Sequence, residues 1–367
     1  MSSSHSGDGR NIDTQVGELS GEAARQVVPG PRDTSAGSPD FTTWGITPAS
    51  TATSDRPSYY ERPVIKEPVW IWAVPVYFFV GGAAGAAAVL GAVAQRDQSL
   101  RGLARKCRLV ATSGIITGTG LLIYDLGRPK RFLNMLRVFR PTSAMNVGSW
   151  LLAGSGAAMS TSAMLAHRRG RLGRLGDAAG TIAGIIGGPL SGYTGVLLAD
   201  TSVPIWQASR RILPGLFVAS SVSTAASFLE LMELDDAEEA VANRFGVIGQ
   251  VAELIAGKAL EKEVERVESV GRPLKEGLSG SLWKAATGLT IVGLVLGLLP
   301  GASARRRRID ALLGVASGLA VRFAVFHAGK ASARDPHATF DQHRAGRGGV
   351  DVTGRPAVTS AGDGSSA

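Results

Sequence analysis

The chain has 367 residues, 44% of them hydrophobic, with 48 glycines, a single cysteine and a net charge of +9. That much glycine weakens helices standing alone in water but suits helices packed in a bilayer, where small residues let backbones approach closely. One thiol, Cys107, excludes an internal disulfide and any cysteine-held iron–sulfur cluster or zinc site. The basic residues fall mostly between apolar segments, a pattern that points to membrane topology rather than nucleic acid.

In chain order, residues 1–66 have no apolar core, are rich in Ser, Thr, Gly, Asp and Pro, and read as a polar flexible tail without a signal peptide. Residues 67–330 form the membrane region. Stretches of roughly 20 apolar residues, the length that spans a bilayer, occur at 68–94, 108–126, 147–167, 178–199, 212–232, 281–300 and 309–328. An eighth, 240–257, is weaker because it holds Arg244 and Glu253, and KALEKEVERVESV after it reads as the same helix continuing into water. The reading favoured is an all-α integral membrane protein of about eight transmembrane helices, with Arg244 and Glu253 facing other helices. Residues 331–367 form a second polar tail. Dense basic runs, RRGRLGR and ARRRR, mark one side, while the other side carries more cations spread over longer segments, so charge alone does not orient the chain.

Four places could carry chemistry. In Tyr124–Trp150, Asp125 stands at a membrane boundary and Arg128 follows three residues later, flanked by the turn-formers Gly127 and Pro129. A guanidinium offsets the cost of a carboxylate at that depth, either to fix the loop or to serve a site. In Gly192–Trp206, Tyr193 lies among small residues within a span and needs a hydrogen-bond partner, from the core or from a ligand. In Pro68–Gly85, Trp70 and Trp72 suit an interfacial belt, Tyr77 lies deeper, and Pro75 is expected to loosen the helix there. Arg322 lies deep in the last span, where a charge has a role or a partner. Glu230 stands at a span end. Of five histidines only His167 and His327 adjoin spans, both at their ends, which argues against haem. No Walker A, HExxH or dinucleotide fingerprint is present.

Three motifs carry a family resemblance: W-x-W…GGAAG at the first span, DLGRP…RF…PTS-x-M-x-x-GSW after the second, and GYTGVLLA…VP-x-W at the end of the fourth. From about Pro68 to Gly329 the chain resembles the membrane-subunit family of polysulfide reductase, the NrfD-like proteins. The resemblance implies two four-helix bundles side by side with no haem and no iron–sulfur cluster in this chain. It implies electron exchange between a membrane quinone, menaquinone or another, and a separate ferredoxin-like iron–sulfur subunit that relays to a molybdopterin catalytic subunit. Matched motif to motif, Tyr193 falls at the family's tyrosine and Tyr77 where some members carry histidine, so the quinone site is expected at Tyr77, Tyr193, Gly85 and Tyr124. Asp125, oriented by Arg128, is the expected proton acceptor, with Arg322 and Glu230 as further proton-transfer candidates. The resemblance also implies a bacterial cytoplasmic membrane with both termini on the outer face. A structural anchor without quinone chemistry and an ion-translocating or transporter subunit are the rival readings.

Overall fold

The computed structural model describes residues 11–13, 18–20, 63, 65–127, 129–299 and 303–345. It divides into two units, residues 1–56 and 57–367. In the first, β1 (Asn11–Asp13) and β2 (Glu18–Ser20) pair antiparallel with Ile12 opposite Leu19.

The second unit is helical. Its elements are α1 (Ala73–Ala94), α2 (Arg101–Leu126), α3 (Pro129–Met135), α4 (Ala144–Met164), α5 (Gly170–Ala199), α6 (Pro204–Ala208) and α7 (Leu213–Glu230). Then come α8 (Asp236–Val264), α9 (Glu268–Gly271), a 3₁₀ turn (Arg272–Leu274), α10 (Gly277–Leu298), α11 (Ala304–Arg334) and α12 (Pro336–Arg344). Among the described residues five helices, α1, α2, α5, α10 and α11, are long and apolar enough to cross a membrane. Three more, α4, α7 and α8, are 18 residues or longer. Serine and threonine dilute α4 and α7, and charges dilute α8.

The long helices pack in two groups. α1, α2, α4 and α5 form one group and α7, α8, α10 and α11 the other, with a continuous hydrophobic core running through both. α1 joins them, lying against α2 and α5 on one side and α7 and α11 on the other. It is therefore buried nearly all round, which explains its unbroken apolar sequence. Its backbone touches α5 directly: a Cβ on Gly85 would come within 2.5 Å of the Gly187 carbonyl oxygen and 2.9 Å of the Ser191 amide nitrogen. A polar clasp joins the two groups where α2 and α8 begin. Glu238, 2% exposed, closes a capping box with Asp235 at the start of α8 and pairs with Lys106 of α2.

Four expectations change. α1 begins at Ala73 rather than 68, and Pro75 lies in its first turn, where the missing N–H has no intrahelical partner to lose, so it does not loosen the helix. The proline inside a long helix is Pro189 of α5. Arg244 is exposed and only Glu253 is buried; nine residues of α-helix make two and a half turns at about 3.6 residues per turn, so the two cannot share a face. Helix also continues past residue 330: α11 runs to Arg334, and α12 is tied down by Ser269 Oγ donating to Asp341 at 2.9 Å and Gln342 donating to Gln207 at 2.8 Å.

The chain enters and leaves this body at one end. Arg334 donates to Glu67 through Nε at 2.6 Å and Nη2 at 2.9 Å, and Lys330 stands 3.4 Å from the same carboxylate. The hydrogen bonds and charge of Arg334 hold the Glu67 carboxyl below its ordinary value.

Candidate functional site

Tyr77 and Tyr193 meet inside the first bundle. Their hydroxyls are 3.0 Å apart, and Tyr77 is 2% exposed. Tyr77 stands one turn into α1, about 6 Å below its start at 1.5 Å per residue. Tyr193 stands one to two turns from the end of α5.

Glycines shape the walls. A Cβ on Gly118 of α2 would come within 3.3 Å of the Tyr77 ring. A Cβ on Gly148 of α4 would fall onto the Tyr193 ring, 2.6 Å from its hydroxyl. α4 is started by Ser143, whose Oγ accepts from the Asn146 amide, and Asn146 in turn donates to the carbonyls of Met135 and Val138. The PTS-x-M-N-x-GSW segment therefore builds a cap on the incoming loop and then delivers the glycine on which Tyr193 rests.

A phenol has one O–H to give and lone pairs to receive. In a pair one hydroxyl donates to the other, so one O–H remains for a third group. A carbonyl oxygen brought against the pair would satisfy it. The arrangement thus suits recognition of a neutral carbonyl compound from a largely apolar enclosure.

Asp125 lies at the rim. It stands at the end of α2, where Gly127 takes φ +69 and returns its N–H to the Tyr124 carbonyl, and its Oδ1 accepts the Ile71 amide at 3.3 Å. This places a carboxylate over the entry to α1, above Tyr77. Arg128 falls outside the described residues. Tyr124 is 62% exposed and faces Trp72, 56% exposed, at 6.3 Å, outside the pair. Gly85 is two turns below Tyr77 in the α1–α5 contact.

Arg322 and Glu230 belong to other places. Arg322, 1% exposed, donates from Nη2 to the Phe217 carbonyl and to Ser221 Oγ, each at 2.9 Å, with its guanidinium 4.0 Å over the Phe217 ring. It therefore lies at the junction of α7 and α11. Glu230 ends α7 at the far end of the second bundle, in a cavity with Asn243, Arg307 and Asp310.

Two side chains singled out in the sequence, Glu253 as facing other helices and Trp206 in VP-x-W, find partners that the sequence does not name. Glu253 accepts from Thr290 Oγ1 at 2.9 Å and Ser317 Oγ at 3.4 Å in the core of the second bundle. Trp206 of VP-x-W is buried, donates Nε1–H to the Val325 carbonyl at 2.9 Å and stacks on Trp70 at 6.0 Å. Trp70 is thus drawn inward, and only Trp72 of the two tryptophans stands exposed. A Cβ on Gly329 would overlap the Trp206 ring. That motif signal is architectural, locking α6 onto α11.

A search of curated proteins gave no match. The polysulfide reductase family profile, of NrfD type, matches residues 59–334. That stretch covers every long helix and all three sequence motifs, from the segment before Trp70 to the Arg334 that grips Glu67. The chain is a multi-pass membrane protein and belongs to the NrfD-type polysulfide reductase family, whose members are membrane subunits of multi-subunit complexes.

Proposed function

We propose that the chain is the quinone-reactive membrane subunit of a respiratory oxidoreductase, and that Tyr77 and Tyr193 hold the quinone. The observation that carries this reading is the 3.0 Å contact of two phenols inside a helical bundle, which leaves one O–H for a ligand carbonyl. A quinone bound there, with menaquinone the first choice, would exchange two electrons and two protons. The chain's own part is to orient and to move protons. The free O–H of the tyrosine pair fixes a carbonyl oxygen, the walls of α1, α2, α4 and α5 exclude water, and Asp125 at the rim passes protons between the site and solvent. Electrons travel to or from a ferredoxin-like iron–sulfur subunit docked near that rim, which serves a molybdopterin catalytic subunit.

All eight long helices cross the bilayer in this reading, the two groups of four being the two bundles. The termini and the tyrosine end lie on the outer face of a bacterial cytoplasmic membrane. The opposite end carries the dense arginine runs of the α4–α5 and α10–α11 connections, which suits the cytoplasmic side.

The test is co-purification followed by mutation. The tagged chain in mild detergent is expected to bring down an iron–sulfur protein and extractable quinone in near-stoichiometric amount. Tyr193→Phe is expected to lower quinol-linked turnover by about 100–1,000-fold, the usual worth of a positioned hydrogen-bond donor or proton donor. Unchanged turnover would refute the assigned site.

A second reading, ion translocation through the second bundle, is favoured by one observation. Glu253 Oε2 and Arg322 Nε and Nη1 are buried with no hydrogen-bond partner among the described residues. Polar atoms left so in a core are costly. Proton uptake per quinol that falls in Glu253→Gln with turnover retained would support it, and uptake unaltered would remove it.

A further inference from the structure

At the end of the first bundle away from the tyrosines is a cavity of about 400 Å³ between the ends of α1, α2, α4 and α5. Arg101, Arg105 and Arg108 line it from α2, at the i, i+4, i+7 spacing that places them on one face. Arg168 and Arg169 line it from the α4–α5 connection, beside His167. Only Arg108 is held within the protein. Its Nη2 donates to Asp177 Oδ1 and to Gln95 Oε1, each at 2.7 Å. Arg101, Arg105, Arg168 and Arg169 make no side-chain hydrogen bond or ion pair among the described residues. Five guanidinium groups therefore face one carboxylate, Asp177, across a shared cavity.

The walls beside it are greasy. Leu109 stands one turn below Arg105 and is 57% exposed. Met164, at the end of α4, is 79% exposed. In a membrane subunit those side chains face acyl chains.

We propose that this cavity binds the phosphodiester headgroup of an anionic phospholipid, with its acyl chains along the exposed aliphatic walls of α2 and α4. Guanidinium groups match phosphate oxygens in planar, bidentate fashion, and basic pockets between helices at the cytoplasmic side of a membrane suit such headgroups. A soluble phosphate would gain the same charges but not the aliphatic wall. The site is separate from the tyrosine pair and does not depend on the quinone reading.

The experiment uses the full chain in its native assembly, in neutral detergent. Native mass spectrometry counts retained phospholipid. Thermal unfolding is followed on adding phosphatidylcholine alone, phosphatidylcholine with cardiolipin or phosphatidylglycerol, or inorganic phosphate at matched ionic strength. Retained anionic phospholipid is expected, with stabilisation by cardiolipin or phosphatidylglycerol and none by phosphatidylcholine or phosphate. Each arginine near a headgroup contributes about fivefold in affinity, so Arg101→Gln, Arg105→Gln and Arg168→Gln together should lower retention by about a hundredfold. All three are exposed, so their loss opens no core, and Arg105→Gln alone, at about fivefold, repeats the test should the triple variant fold poorly. Arg266→Gln, beyond the other end of the bundles, should change nothing. Retention unchanged in the arginine variants would overturn the proposal. Equal stabilisation by inorganic phosphate would also overturn it, in favour of a soluble anion, as would an acidic protein crosslinked to Arg105 in place of lipid.

Discussion

Gly148→Ala is expected to disable the tyrosine pair while leaving the helical body folded. The new methyl would fall onto the Tyr193 ring and 2.6 Å from its hydroxyl, where ordinary contact begins at 3.4 Å. The ring carbon Cε2 is nearer still, at 2.0 Å, so the rigid ring must retreat by about 1.4 Å to reach that contact. Directed away from Tyr77, such a shift would stretch the 3.0 Å contact to about 4.4 Å, beyond a hydrogen bond. Overpacking at one methyl costs about 1–3 kcal/mol and the lost hydrogen bond about 1 kcal/mol, so thermal unfolding should move by only a few degrees in a chain of this size. Turnover should suffer more, because a displacement near 1 Å in a positioned group can cost about 100-fold. The assay pairs quinol oxidation by the purified complex with its melting temperature. A variant with full turnover would show that Tyr193 does not position the reacting molecule. A variant that fails to assemble would show that α4 and α5 cannot separate at this point, and Tyr193→Phe, which adds no bulk, would then carry the test.

Three further outcomes follow from the packing. Glu238→Ala breaks the clasp with Lys106 and the capping box of α8. Lys106, left unmatched, is a quarter exposed and can turn to solvent, so the lost cap and ion pair together cost about 1–2 kcal/mol, to be read as a lowered melting temperature with quinone affinity retained. Trp206→Phe removes the Nε1–H bond to Val325 and weakens the stack on Trp70, for about 2 kcal/mol together; Gly329→Ala should mimic it by driving the ring out. The Glu67 clamp should be pH-dependent. Its folded pKa lies below the ordinary 4.5, so the clamp contributes fully above that value and is lost as pH falls through the lowered folded value. Tryptophan emission near Trp70 should follow that loss at acid pH, and Glu67→Gln should abolish the dependence.

Much of this molecule was legible as pattern. The apolar stretches located all eight long helices, and the small residues around Tyr193 pointed to the α5 face that carries the pair. What the pattern could not show was pairing across helices. Tyr77 and Tyr193 are 116 residues apart, and nothing local in either span states that they touch. The helix phase of α8 was computable, since the nine-residue spacing of Arg244 and Glu253 forbids a shared face. The Trp70–Trp206 stack was not, because a tryptophan at a span end serves an interface or a core equally well. Pro75 illustrates a boundary effect: its meaning depends on where the helix starts, and moving that start to Ala73 turns a breaker into an ordinary first-turn residue. Serine and threonine in α4 and α7 lower hydropathy without lowering burial. Ser155 and Ser162 of α4 and Ser220, Ser221, Ser223, Thr224 and Ser227 of α7 are all buried, which is why composition alone finds fewer membrane-length apolar helices than there are long helices among the described residues.

The claim that most needs testing is that a quinone stands at the Tyr77–Tyr193 pair. The direct measurement is photolabelling of the native complex with an azido-menaquinone, followed by peptide mapping. Label is predicted on the peptides of α1, α4 and α5 that carry Tyr77, Gly148 and Tyr193, displaced by excess menaquinone and diminished in Tyr193→Phe. Displaceable label confined to the second bundle, or label that excess quinone fails to displace, would contradict the account.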